Sequence, residues 1–122
     1  MSSMSDEDWK KSVSVTLINA DPKPQPGETS REVLDTANDI IHGERAQSYG
    51  PAEDSFARIG ELWTTHLSHK LPEGKRIDAY DVAIMMTLMK CARAQTDVKM
   101  DTMVDIAGYA ALAMRCAEKA GR

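Results

Sequence analysis

Apolar residues recur every three or four positions in four separate stretches of this 122-residue chain. That spacing places them on one face of an α-helix and argues against a largely β fold. Proline, glycine and helix-capping residues separate the stretches, so each one ends where a helix is expected to end. The sequence therefore predicts an all-α domain over residues 29–122, arranged as a four-helix antiparallel bundle.

The predicted helices begin at local capping signals. Thr29 and Glu32 have the spacing of a capping box, which predicts the start of the first helix. Pro51 suits the start of the second, where its missing N–H is not needed. Asp78 is the expected N-cap of the third helix, and the fourth is expected to begin near Asp101.

Residues 1–28 have a different pattern and are assigned to an N-terminal arm and linker. Residues 12–17 alternate polar and apolar side chains, which indicates one short strand. Three prolines between residues 22 and 26 then prevent regular structure. Because one strand is not stable alone and a chain of this length has a small core, the pattern predicts a homo-oligomer.

The formal net charge of −4 limits the partners that the chain can attract. An acidic chain does not favour duplex DNA or an anionic membrane, so we expect neither sequence-specific nucleic-acid binding nor membrane binding. The first residues lack the apolar core of a signal peptide. Cys91 and Cys116 lie in helical apolar patterns and are expected to be reduced core residues. Together these features predict a cytoplasmic protein.

Lys90 and Arg93 stand three positions apart near the end of the third predicted helix, so they share one face. One interpretation is a phosphate clamp, because arginine offers a planar fork of donors and lysine a point charge. The alternative is that both complement the negative end of the helix dipole. The residues themselves leave both interpretations open.

Asp101 and Asp105 stand four positions apart, so their carboxylates share one face of the fourth helix. With Asp81 from the third helix they form a candidate Mg²⁺ site, because Mg²⁺ prefers oxygen ligands. N-capping is the competing explanation for Asp78 and Asp101. Asp105 lies one turn inside the helix, where capping explains it less easily.

Three further residues complete the candidate ligand site. Tyr109, one turn beyond Asp105, is able to stack on a base or to bond a phosphate, and otherwise belongs to the core. Arg45 and Tyr49 lie in the polar connection before the second helix. There they either close over a pocket or belong to an ordinary loop.

These residues lie in a longer pattern that resembles a known family. Its parts are Tyr49-Gly50-Pro51, Trp63, DVAIMM at 81–86, Lys90 and Arg93, and DTMVDIAGYAA at 101–111. Over roughly residues 31–115 this pattern resembles an uncharacterised family of small tailed-phage and prophage proteins. More distantly, it is similar to the all-α nucleoside triphosphate pyrophosphohydrolases of the MazG and dimeric dUTPase type.

The distant resemblance implies a Mg²⁺-dependent site. In those pyrophosphohydrolases, ExxE and ExxD motifs hold the metal and basic side chains hold the triphosphate. Here it implies that Asp81, Asp101 and Asp105 bind Mg²⁺, with Asp81 and Asp105 catalytic. The implied substrate-binding residues are Lys90, Arg93, Arg45, Tyr49 and Tyr109. The chain has no ExxE motif, and the spacing of Asp101 and Asp105 differs from ExxD.

Three functions follow from these patterns. The first is a phage-type nucleoside triphosphate pyrophosphohydrolase that uses Mg²⁺. The second is a non-catalytic nucleotide binder, such as a phage sponge that sequesters a host signalling nucleotide, linear or cyclic. The third is a helical protein that inhibits a host enzyme by binding to it. All three predict a homo-oligomer in the host cytoplasm.

Overall fold

The computed structural model describes residues 28–43 and 50–122, and these ranges form four α-helices and no strand. The helices are α1 (Glu28–His42), α2 (Ala52–His66), α3 (Ala79–Thr96) and α4 (Met100–Lys119). The predicted all-α class is thereby confirmed. The predicted strand at residues 12–17 and the proline-rich linker lie outside the described residues.

Capping interactions explain where α3 begins. The backbone N–H of Asp81 donates to Oδ1 of Asp78 at 2.9 Å, and the backbone N–H of Asp78 donates to Oδ2 of Asp81 at 3.1 Å. This reciprocal capping box confirms Asp78 as the N-cap. By contrast, α1 begins one residue earlier than predicted, so Thr29 lies inside its first turn.

Helix α4 lies at the centre of the described fold. It packs against α1 on one side and α3 on another, and α2 packs mainly on α3. Val82 and Ala83 of α3 are completely buried in this core, together with Leu112 and Ala113 of α4. The small alanine side chains allow the two helix backbones to approach closely. None of the described helices combines the length and the apolar composition needed to cross a membrane.

Helix α2 approaches the segment before α3 at unusually short range. A Cβ atom at Gly60 would lie 2.5 Å from the carbonyl oxygen of Ile77. One turn later, Oγ1 of Thr64 accepts a hydrogen bond from the backbone N–H of Ile77 at 2.8 Å and donates to the carbonyl of Gly60 at 2.7 Å. The absence of a side chain at Gly60 allows the close approach, and the hydroxyl of Thr64 bonds α2 to the segment before α3.

Replacing Thr64 with valine is expected to reduce the free energy of unfolding by about 1–2 kcal/mol, because the partly buried N–H of Ile77 loses its hydrogen-bond acceptor. Urea unfolding at equilibrium measures this loss. Thr65→Val is the matched control, since Thr65 is exposed and its hydroxyl bonds the carbonyl of Glu61 in the same helix. Equal losses at the two positions would contradict the bridging role.

Candidate functional site

Lys90 of α3 and Asp105 of α4 form a buried ion pair. Nζ of Lys90 lies 2.9 Å from Oδ2 of Asp105, and the two side chains are only 13% and 3% exposed. The helices run antiparallel, since Asp78 at the start of α3 pairs with Arg122 beyond the end of α4. Sequence reasoning singled out Lys90 and Asp105 separately, but it did not pair them.

The energetics of this pair make it a candidate for function. Taking each charge out of water costs several kcal/mol, and the attraction between the two charges offsets only part of that loss. A pair of apolar side chains of similar volume often stabilises a core as well or better. Buried ionic groups therefore mark candidate functional positions, although some of them serve structural specificity instead.

Asp81 lies far from this pair. It precedes Lys90 by nine positions on α3, which corresponds to about 13 Å at a rise of 1.5 Å per residue. Its carboxylate accepts the hydrogen bond from the backbone of Asp78 in the capping box. The structure therefore gives Asp81 a capping contact and does not bring it together with Asp105.

Asp101 lies one turn before Asp105 on α4, and the two share a helix face as predicted. The N-cap of α4 is Lys99, so Asp101 lies inside the first turn rather than at the cap. Across residues 28–43 and 50–122, no three histidine, cysteine or acidic side chains come together in a way that could hold a metal ion. The three predicted metal ligands thus remain in two separate places.

The remaining candidate residues lie in contrasting environments. Arg93 is exposed in the last turn of α3, one turn beyond Lys90. Tyr109 is 6% exposed, and its ring centroid lies 6.1 Å from that of Phe56 on α2, so its ring is part of the core. Arg45 and Tyr49 lie outside the described residues.

A second polar cluster, which sequence reasoning missed, joins three helices. Nη1 of Arg115 on α4 lies 3.7 Å from Oε2 of Glu53 at the start of α2. Nη2 of the same guanidinium lies 3.5 Å from Nδ1 of His42 at the end of α1. Oε2 of Glu53 is buried and has no hydrogen-bond partner within the described part of the chain. Glu53 lies in the first turn of α2, where the helix dipole favours an acidic side chain, so its position gave no separate signal of these contacts.

An ion pair continues this cluster towards solvent. Nζ of Lys119 donates to Oδ1 of Asp54 at 2.6 Å. This hydrogen bond lowers the pKa of Asp54 and raises the pKa of Lys119 from their usual values. Both side chains are about half exposed, so water and salt screen the contact and it contributes little to stability.

The two cysteines are expected to react with an alkylating reagent at different rates. Cys116 is 3% exposed, and burial, followed by the nearby Glu53 carboxylate, raises the pKa of its thiol. Cys91 is half-buried. Because the thiolate is the reactive form, we expect Cys91 to be modified first at mildly alkaline pH. Mass spectrometry on Cys91→Ala and Cys116→Ala variants measures each rate separately, and equal rates would contradict the burial of Cys116.

Comparison with known proteins relates this sequence to phage proteins. A family model described as Domain of unknown function (DUF6378) matches residues 32–117. The Gene 55 protein of Mycobacterium phage L5 is 44% identical over 79 residues, which cover 64% of this chain and 47% of that protein. The Gene 55 protein of Mycobacterium phage D29 is 37% identical over 91 residues, covering 74% and 56%.

The chain spans about half the length of these curated relatives. No solved structure is a significant match to it. The predicted resemblance to small phage proteins is confirmed by the family and by both relatives. The similarity to MazG-type pyrophosphohydrolases stays a prediction.

Proposed function

This chain belongs to the family described as Domain of unknown function (DUF6378), and from that premise we propose that it binds a nucleotide or another phosphorylated small molecule beside α3 and α4. The observation that carries the proposal is the buried pair of Lys90 and Asp105. The pair lies within the segment that the family model matches. Folding removes water from both charges, at a position where apolar side chains would stabilise the core as well.

In this proposal, Asp105 positions Lys90 and the ligand completes its hydrogen bonds. An ammonium group has three donors, and Asp105 takes one of them. The remaining donors are directed at a phosphate oxygen through the part of the side chain that stays exposed. Arg93, one turn further and exposed, supplies a planar fork for a second phosphate oxygen. Two cations at this spacing suit a ligand with more than one anionic oxygen.

The residues described do not fit a Mg²⁺ site that includes Asp81. Mg²⁺ ligands lie about 2.1 Å from the ion, whereas Asp81 is about 13 Å from the level of Lys90 on α3. Asp105 already has a cationic partner at 2.9 Å. The proposal is therefore ligand binding that does not require metal. Mg²⁺-dependent pyrophosphate release, which the MazG resemblance implies, is assayed separately on the same protein.

Calorimetric titration of the full chain with linear and cyclic nucleotides, with EDTA or with Mg²⁺, tests the proposal. We expect metal-independent binding of at least one nucleotide. Arg93→Ala is expected to weaken that binding about tenfold, which corresponds to about 1.4 kcal/mol. Arg58→Ala, which removes an exposed arginine of α2, is the matched control and should leave the affinity unchanged.

The decisive variant carries Lys90→Met and Asp105→Leu together. It removes both charges while keeping similar volumes, so it should fold and lose binding. Unchanged binding by this folded variant would refute the proposal. Pyrophosphate release that requires Mg²⁺ would favour the pyrophosphohydrolase over a protein that only binds nucleotides. If no nucleotide binds, the proposal fails and the predicted helical inhibitor of a host enzyme is favoured.

A further inference from the structure

Helix α3 exposes a continuous apolar face. Met85, Leu88 and Met89 are 38%, 61% and 40% exposed, and Ala92 is also exposed. Positions spaced by three and four residues form one stripe along a helix, here about two turns long. We call these four residues the outer α3 face.

Beside this stripe, α3 also carries buried apolar residues. Val82 and Ala83 are completely buried in the core. A helix at the surface of a folded protein normally turns its apolar residues towards the core, so an apolar stripe on its exposed side is unusual. Leu62 on α2 is also 69% exposed, but a single exposed leucine is ordinary for a soluble protein. The contiguous stripe, unlike Leu62, calls for a covering partner.

We propose that the outer α3 face packs against the same face of a second copy of this chain, with the two helices antiparallel. The charges at the two ends of α3 carry this choice of partner. Asp81 lies in the first turn and Arg93 in the last. Antiparallel pairing places Arg93 of one copy near the acidic start of the other α3, and it also opposes the two helix dipoles. Parallel pairing would bring like charges together.

A two-fold axis between Leu88 and Met89 describes this pairing. Each residue then faces the residue of the other copy that lies equally far from the axis on its opposite side. This pairing is required when both subunits use the same patch. Leu88 of one copy faces Met89 of the other, and Met85 faces Ala92. A long side chain thus lies opposite a small one at each end, which allows the helices to approach closely.

Analytical ultracentrifugation of the full chain tests the surface. We expect the unmodified chain to sediment as a dimer. Leu88→Glu should raise the dissociation constant about a hundredfold or more, because a charge at the centre of the interface would be desolvated. Leu62→Glu is the matched control, since it introduces the same charge at a similarly exposed leucine outside the proposed face. Circular dichroism verifies that both variants stay helical.

Cysteine cross-linking tests the direction of the helices. In a chain that carries Cys91→Ala and Cys116→Ala, either Met85→Cys or Ala92→Cys alone should form little disulfide dimer. Mixing the two variants should give a mixed disulfide dimer, because antiparallel pairing brings positions 85 and 92 within the short range that a disulfide requires.

Three results would overturn the inference. The first is a full chain that sediments as a monomer, which is also the result expected if residues 1–27 covered the outer α3 face. The second is a dimer that persists in Leu88→Glu. The third is efficient cross-linking of Met85→Cys with itself. Both proposals use Arg93, so nucleotide binding is measured on Leu88→Glu, which leaves Arg93 and the Lys90–Asp105 pair unchanged. Failure of the dimer and failure of the proposed ligand site are therefore distinguishable.

Discussion

Asp105→Ala is expected to lower the free energy of unfolding by about 3–5 kcal/mol, the usual effect of removing one partner from a buried ion pair. The Asp105 side chain is 3% exposed, and its loss leaves the Lys90 ammonium at the contact between α3 and α4 without its counter-charge. Equilibrium unfolding in urea measures the loss. We expect a lower midpoint with an unchanged slope, which would show that the loss is one of stability alone.

The double variant Lys90→Met plus Asp105→Leu is the control for this prediction. It should recover most of the lost stability or exceed that of the unmodified chain, because no charge is left to desolvate. Asp97→Ala offers a second comparison, since the ion pair of Asp97 with Lys99 is exposed at 3.9 Å and should contribute less than about 1 kcal/mol. If Asp105→Ala lowers the free energy of unfolding by less than about 1 kcal/mol, the Lys90 ammonium reaches solvent in the variant instead of staying buried.

Gly60→Ala is expected to destabilise the chain by about 2–3 kcal/mol, the upper part of the range for overpacking. The new Cβ would lie 2.5 Å from the carbonyl oxygen of Ile77 and 3.3 Å from backbone atoms of Asp78. Both obstacles are backbone atoms at the start of α3, so a side-chain rotation cannot relieve the overlap. Alanine favours a helix over glycine by about 1 kcal/mol, but this gain is smaller than the steric loss.

Thermal unfolding followed by circular dichroism measures the effect of Gly60→Ala. Glu61→Ala is the control, because Glu61 is the next residue of α2 and is exposed. Its substitution should change stability by no more than about 0.5 kcal/mol. A more stable Gly60→Ala variant would show that α2 and the Ile77 segment separate without loss, contrary to the close approach described above.

The helix starts were predictable because helix caps are local. Asp78 reaches the N–H of Asp81 within four consecutive residues, so one turn of sequence contains the whole interaction. Pro51 likewise stands directly before α2, where it occupies the N-cap. Thr29 shows the limit of this reasoning. Its capping-box pattern is present, but the helix already includes Glu28 and therefore passes through it.

The candidate site was predictable only within each helix. Helix geometry alone placed Lys90 with Arg93, and Asp101 with Asp105, because residues three or four apart share a face. Helix geometry did not decide whether Asp81 of α3 lies near Asp101 and Asp105 of α4, as the predicted Mg²⁺ site requires. That grouping required a particular alignment of α3 on α4, and no local pattern specifies such an alignment.

The sequence by itself determined the all-α class, the places where α2 and α3 begin, and membership of a phage-related family. These properties depend on neighbours along the chain, or on similarity measured residue by residue. The tertiary structure alone decided that Asp105 meets Lys90 rather than Asp81, and that Gly60 touches Ile77. The reason is physical: the packing of whole helix faces sets the alignment of one helix on another, and each face combines contributions from residues far apart in sequence.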